Sequence, residues 1–224
     1  MVNDGIVAII PIRFVPSPKH RLAEVFDRPA RQKLTEAMLE DVLAAIETSV
    51  GVTKIVVVTN NEEIPSISLP KGFEVFKTRI IGLNAELLEA VISMTKDGWG
   101  RVIIVLADLP LLKGEIIDQI ILQGKMQEQT IIAQDWLGTG TNILYTKLPL
   151  RFHIHFGHQS FRTHIEEFEK HNHQWLSFHS LESALDIDDL EAIQKFMLLA
   201  QRENAIKATN TYQTLLTLQS KQNK

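Results

Sequence analysis

The run RVIIVLADLPLL (101–112) is apolar until Asp108, after which a proline and two leucines follow. A carboxylate at the end of such a run must reach solvent, cap a turn or hold a cation, because an unpaired buried charge is strongly unfavourable. A second acidic group, LDIDD, sets Asp186, Asp188 and Asp189 close together. In extended chain, side chains alternate between two faces, so Asp186 and Asp188 share one. Oxygen donors of this kind suit a hard divalent cation such as Mg²⁺, which takes one or two carboxylates together with substrate phosphates. Asp108, from a neighbouring strand end, would complete the set. Spacing alone leaves a plainer account open: Asp108 begins a turn, Asp188 caps the last helix, and D-x-D recurs by chance.

Other polar clusters fall where strands end. PIRFVPSPKHRL carries Arg13, Lys19 and Arg21, which suit a triphosphate or simply a solvated basic loop. It is neither a G-x-x-x-x-G-K-S/T loop nor a G-x-G-x-x-G turn. QDWLGTGTN offers two glycines that permit close backbone approach, with hydroxyls and an amide beside them, or an ordinary hairpin turn. All histidines except His20 lie between His153 and His179. His153 and His155 would share a strand face, but the spacings match no closed zinc site, and structural roles are expected. No Ser-His-Asp set stands out.

The totals narrow the classes. The 224 residues suffice for one sizeable domain, and 45% hydrophobic with 22% charged residues is ordinary for a globular chain. A net charge of −4 argues against non-specific binding to nucleic acid or an anionic membrane. The absence of cysteine removes disulfides, thiolate catalysis and Cys-based zinc sites. The N-terminal apolar stretch is too short for a signal peptide, and no window of about 18 apolar residues would span a membrane, so the expectation is a cytoplasmic protein.

The elements that must position these clusters alternate. IVAIIPI (6–12), TKIVVVT (53–59), GFEVFK (72–77), RVIIVLA and QTIIAQ (129–134) read as strands. Helical periodicity fills a stretch from about Pro29, LNAELLEAVISMTKDG (83–98) and KGEIIDQIILQGK. Unbroken apolar strands indicate a mainly parallel sheet covered on both faces. Further on, GTGTNILYTK reads as a turn entering a strand, HQSFRTHIEEFEKH as a helix, WLSFHSL as a strand and DDLEAIQKFMLLAQ as an amphipathic helix. Residues 1–202 form one α/β domain in this reading. Residues 203–224, with Ile206, Tyr212, Leu215, Leu216 and Leu218 sparsely spaced, form a loosely docked C-terminal tail or a partner contact. In open α/β sheets, ligands sit beyond the carboxyl ends of the strands, where the four polar clusters fall.

Together, AIIPIRFVPSPKHRL, VVVTNN, GLNAELLEAV, VLADLPLL, AQDWLGTGTNIL, FHIHFGHQSFRTHIEE and LDIDDLEAI follow the order seen in the 2-phospho-L-lactate guanylyltransferase family, which the chain resembles over about residues 6–200. Each piece is weak alone; ADLPLL, GTGTN, FGxxSFxxH and LDID in combination are specific. Arg13 stands where many relatives have lysine, PKHRL replaces a small-Lys-Ser-Arg-Leu string, and Asp189 replaces a common Thr-Pro.

The resemblance implies a Rossmann-like, mixed and mostly parallel sheet of the nucleotide-diphospho-sugar transferase (GT-A-like) type. It implies transfer of GMP from GTP to the phosphate of a three-carbon acid in coenzyme F-420 assembly. The acceptor is 2-phospho-L-lactate by family default, with phosphoenolpyruvate and 3-phosphoglycerate as alternatives, and a homodimer is expected. Asp108, Asp186 and Asp188 would hold Mg²⁺. Lys19, with Arg13 or Arg21, would neutralise pyrophosphate. Thr141, Gly157 and Ser160, with Asn142 nearby, would face the acceptor, and Gly82 and Asn84 would line the base pocket. A sugar-phosphate nucleotidyltransferase, a glycosyltransferase using D-x-D, or a catalytically silent nucleotide-binding relative are the competing readings.

Overall fold

The computed structural model describes residues 3–13, 19–60 and 72–222. Residues 14–18 of the first basic cluster and Asn61 of VVVTNN lie outside the described residues. In chain order the principal elements are β1 (Asn3–Pro11), α1 (Arg28–Thr48), β2 (Lys54–Thr59), β3 (Phe73–Lys77), α2 (Leu83–Lys96), β4 (Trp99–Val105), α3 (Gly114–Gln127), β5 (Thr130–Gln134), β6 (Thr141–Lys147), α4 (Ser160–Lys170), β7 (Trp175–Phe178), α5 (Leu181–Ala184), α6 (Leu190–Arg202) and α7 (Asn210–Gln222). Asp27 starts α1: its carboxylate accepts the Ala30 N–H at 2.8 Å, and Pro29 sits in the first turn, where its missing N–H costs nothing.

The strands form one sheet in the order β3-β2-β1-β4-β6-β5-β7. Every pairing is parallel except those of β6, which runs against both β4 and β5. The reversal brings the start of β6 to the edge where β4 ends. Val105 pairs with Ile143, and the Leu106 N–H donates to the Asn142 carbonyl at 3.0 Å. Residues from both ends of a strand pair thus meet above one edge of the sheet.

The unbroken apolar runs follow from cover on both faces. Ile6, Ala8, Ile10, Ile103 and Val105 pack on one side with Leu39, Val42 and Ile46 of α1 and Ile117 and Ile120 of α3. The alternate residues Val7, Ile9, Val102 and Ile104 pack on the other side with Leu87 and Val91 of α2 and Phe168 of α4. WLSFHSL is a strand only to Phe178; Ser180 then caps the short α5, accepting the Ser183 N–H at 3.0 Å. Residues 152–156 keep the alternation of a strand, with Phe152, Ile154 and Phe156 buried, but join no sheet.

The C-terminal residues differ from a loosely docked tail. A 3-10 turn (Ile206–Ala208) and α7 fold onto α1, where Ile206, Leu215 and Leu218 join Leu34, Met38 and Phe196 in a third apolar cluster. Asp41 of α1 accepts the N–H groups of Asn210 and Thr211 at 2.8 and 2.9 Å, satisfying two orphan donors at the start of α7. The apolar residues of this segment are few, and their partners on α1, such as Leu34 and Met38, lie far away in sequence. Leu215 is fully buried whereas Leu216 is 41% exposed. Leu215→Ala is therefore expected to cost about 2–5 kcal/mol in chemical denaturation, and Leu216→Ala little beyond about 0.5 kcal/mol.

Candidate functional site

Asp108 lies three residues past β4, where the ladder has ended and its side chain is half-buried. Its carbonyl accepts the N–H of Ile187 at 3.0 Å, and this bond draws the LDID segment up to the strand end. Ile187 is fully buried in the third apolar cluster, so its two neighbours turn the other way. Ligand oxygens of Asp108, Asp186 and Asp188 consequently lie within 4.8 Å of one another. Asp189, rather than Asp188, caps α6 by accepting the Ala192 N–H at 2.9 Å. The capping account of Asp188 is thereby removed.

Lys19 enters this cluster from the loop after β1. Its ammonium donates to Asp108 Oδ2 at 2.7 Å and to Asp188 Oδ1 at 2.5 Å, with 9% of the side chain exposed. Burial alone would lower its pKa, but the two carboxylates outweigh it and hold the amine charged. The same ammonium holds Asp188 below the ordinary carboxylate range against a smaller burial penalty, with help from Arg21. Asp186 goes the other way: burial first, then Asp108 and Asp188, push its carboxyl up to about 7. Three carboxylates against one ammonium leave the cluster short of positive charge. Asp108 Oδ1 is buried without a hydrogen-bond partner. An all-oxygen donor set with an orphaned acceptor and an acid that resists ionisation fits a hard divalent cation.

Two clefts meet at these acids, and Arg21, Leu106, Asp108 and Asp188 border both. The first, about 360 Å³, lies beyond β1 and β4 and is lined by Arg13, Lys19, Met38 and Leu83 among others. The second, about 490 Å³, runs between the β5–β6 hairpin and the N-termini of α4 and α6, with Thr141, Gly157, Ser160, Asp186 and Lys195 in its wall. GTGTN is a hairpin turn and a cleft wall at once. Asp135 accepts the Thr139 N–H at 2.7 Å, and a Cβ on Gly140 would come within 2.6 Å of its carboxylate, so a side chain there would displace that carboxylate.

The second cleft carries a hydroxyl pair set by a histidine that the sequence did not single out. His164 is fully buried; its Nε2 accepts the His155 N–H at 2.9 Å, so the proton of the neutral ring sits on Nδ1, 3.0 Å from Thr141 Oγ1. Thr141 Oγ1 accepts that proton and keeps its own O–H to donate. Ser160 Oγ accepts the Thr141 N–H at 2.7 Å and likewise keeps its proton. Burial first, then His155, lowers the His164 pKa to about 4, which keeps the ring neutral. The final histidine of FGxxSFxxH was in view, but its partner lies 23 positions earlier in the chain.

Two expected contacts are spent elsewhere. Asn142 donates its amide to the carbonyls of Ser183 and Ala184 at 3.1 Å each, so it holds α5 and the acids beyond it rather than offering donors to a ligand. Asn84 accepts the Phe156 N–H at 2.6 Å and donates to the Phe156 carbonyl at 3.0 Å. It staples α2 to the segment before Gly157 and borders neither cleft. Gly82, at φ +126, turns the chain into α2, and its N–H donates to the buried Glu86, which also meets Arg13 at 3.6 Å. Leu83 alone of 82–84 lines the first cleft.

Residues 6–219 match the family described as guanylyl transferase CofC like. A 2-phospho-L-lactate guanylyltransferase of Methanocaldococcus fervens is 30% identical over 190 residues, 85% of this chain and 84% of that protein. A phosphoenolpyruvate guanylyltransferase of Roseiflexus castenholzii is 32% identical over 160 residues, 71% and 72% of the two chains. Among solved structures, a putative nucleotide-diphospho-sugar transferase from Desulfovibrio desulfuricans superposes with a TM-score of 0.74 at 16% identity, covering 97% of this chain and 96% of that one. That likeness identifies the fold. The match along nearly the whole length, carried by relatives at this identity, places the chain in the CofC-like guanylyl transferase family.

Proposed function

We propose that this protein transfers GMP from GTP to the phosphate of 2-phospho-L-lactate or a closely similar three-carbon phospho-acid, releasing pyrophosphate, as a step of coenzyme F-420 assembly. The observation that carries the reading is the convergence of Asp108, Asp186 and Asp188 at the junction of two clefts. Two clefts allow a nucleotide and a second anion to approach one point from opposite sides.

The nucleophile is a phosphate oxygen of the acceptor, already ionised near neutral pH, so no general base is required. It forms a bond to the α-phosphorus of GTP as the bond to the bridging oxygen of pyrophosphate breaks. Catalysis then rests on positioning and charge neutralisation. In this reading GTP takes the first cleft, with Lys19, Arg13 and Arg21 balancing the triphosphate. The acceptor takes the second, where Thr141 and Ser160 each retain an O–H to donate and the backbone beside Gly157 lies open. Asp108, Asp186 and Asp188 would hold Mg²⁺, which would supply a hard Lewis acid for the phosphate oxygens. Lys19 holds two of these carboxylates in place through its contacts with Asp108 and Asp188. His164 is a positioning residue that fixes the direction of the Thr141 hydroxyl.

Three outcomes are expected. Asp108→Ala should fold normally and lose at least about 10²-fold in turnover, read as pyrophosphate release from GTP; near-normal turnover would refute the assignment. Rates measured side by side with 2-phospho-L-lactate, phosphoenolpyruvate and 3-phosphoglycerate should be highest with phospholactate, whereas release with a sugar phosphate alone would favour a sugar nucleotidyltransferase. The third concerns pH. An unfolded histidine takes up a proton near pH 6.5, while His164 resists until about 4, so the unfolded state binds more protons in between. Folding stability is therefore fully present above about pH 6.5 and declines as pH falls to about 4, by at most about 3 kcal/mol. His164→Gln should flatten that slope in denaturant titrations, and an unchanged slope would show that other groups produce it.

A further inference from the structure

We propose that His153, Glu167 and His171 form a surface site for a zinc-class divalent ion, separate from the aspartates. The sequence suggested only that His153 and His155 share a face. The two do share a face, with ring centroids 6.4 Å apart, but His155 leans toward His164, 6.1 Å away, and its Nε2 is buried. His153 turns outward because Phe152 and Ile154 on either side of it are buried. It meets Glu167, which lies one helical turn before His171 along α4.

The donor geometry is already close to that of a metal centre. Glu167 Oε2 lies 3.1 Å from His153 Nδ1 and 3.4 Å from His171 Nε2, and the three donor atoms all fall within 4.8 Å of one another. A tetrahedral zinc ion with bonds of about 2.0–2.1 Å sets its donors about 3.3 Å apart. Lys170 takes the other carboxylate oxygen at 3.2 Å, and Oε2, which also accepts the His153 N–H at 3.4 Å, keeps a lone pair for an ion. With 74% of the His153 and 37% of the His171 side chain exposed, a water can complete the shell. Two imidazoles and one carboxylate are the donors of three-ligand zinc sites, whereas the aspartates offer only oxygen and suit magnesium. The ion would tie the segment that ends at Gly157 to the far end of α4, whose first residue is Ser160, and so brace one wall of the second cleft.

Zinc chloride titrated into the untagged full-length protein tests this, followed by calorimetry and by the nitrogen resonances of the histidine rings. One equivalent should bind to the wild type and to Asp186→Asn/Asp188→Asn, with the His153 and His171 rings shifting together. His171→Ala and Glu167→Gln should each weaken that equivalent by at least about tenfold, as loss of a ligand or its support does. Their unfolding midpoints in chelator should match the wild type, and zinc should raise the midpoint only where the site is intact. Zinc that is lost with the aspartates and kept by the histidine variant would overturn the proposal, as would no stoichiometric binding at all.

Discussion

Everything at the site depends on forcing three carboxylates into one small volume. At separations under 4.8 Å each ionised pair repels by roughly 3–4 kcal/mol at an effective dielectric of about 20. The apolar burial of Ile187 and the backbone bond from its N–H to the Asp108 carbonyl hold the acids together. Lys19 offsets part of the repulsion through its two short contacts, and burial, followed by the repulsion that remains, raises the pKa of Asp186. The core thus maintains an electrostatic deficit that a proton on Asp186 or a further cation would relieve.

The sheet makes this arrangement possible because one strand runs the wrong way. With β6 antiparallel to β4, the GTGTN hairpin and the strand end bearing Asp108 reach the same edge from opposite directions. Asn142 and Asn84 work as braces on that edge: one holds the carbonyls of α5, the other both backbone groups of Phe156. Each fixes a loop that carries site residues. Both carboxamides spend hydrogen bonds within the fold, as buried polar groups must.

The division of labour among cations and hydroxyls follows the charge balance. Arg13 and Lys19 line the first cleft, Thr141 and Ser160 offer neutral donors in the second beside Lys195, and Arg21 borders both. Neutral donors bind a phosphate without competing for the aspartates. His164 stays uncharged because it is buried and lies beside His155.

The sequence by itself determined the α/β class, most element positions, the family resemblance and the three aspartates. Unbroken apolar runs, helical periodicity and local acid spacing are short-range signals that survive without coordinates. Tertiary structure decided what Asp188 does once Asp189 capped α6, where Asn84 and Asn142 spend their amides, and that α7 is docked through Leu215. It also decided which proton His164 carries. Apart from the Asp189 cap and the bond from His155 to His164, these depend mostly on partners tens of positions away, up to the 170-residue span from Asp41 to Thr211. A hydrogen bond or buried contact of that span leaves no local pattern, because its geometry exists only after the core has packed.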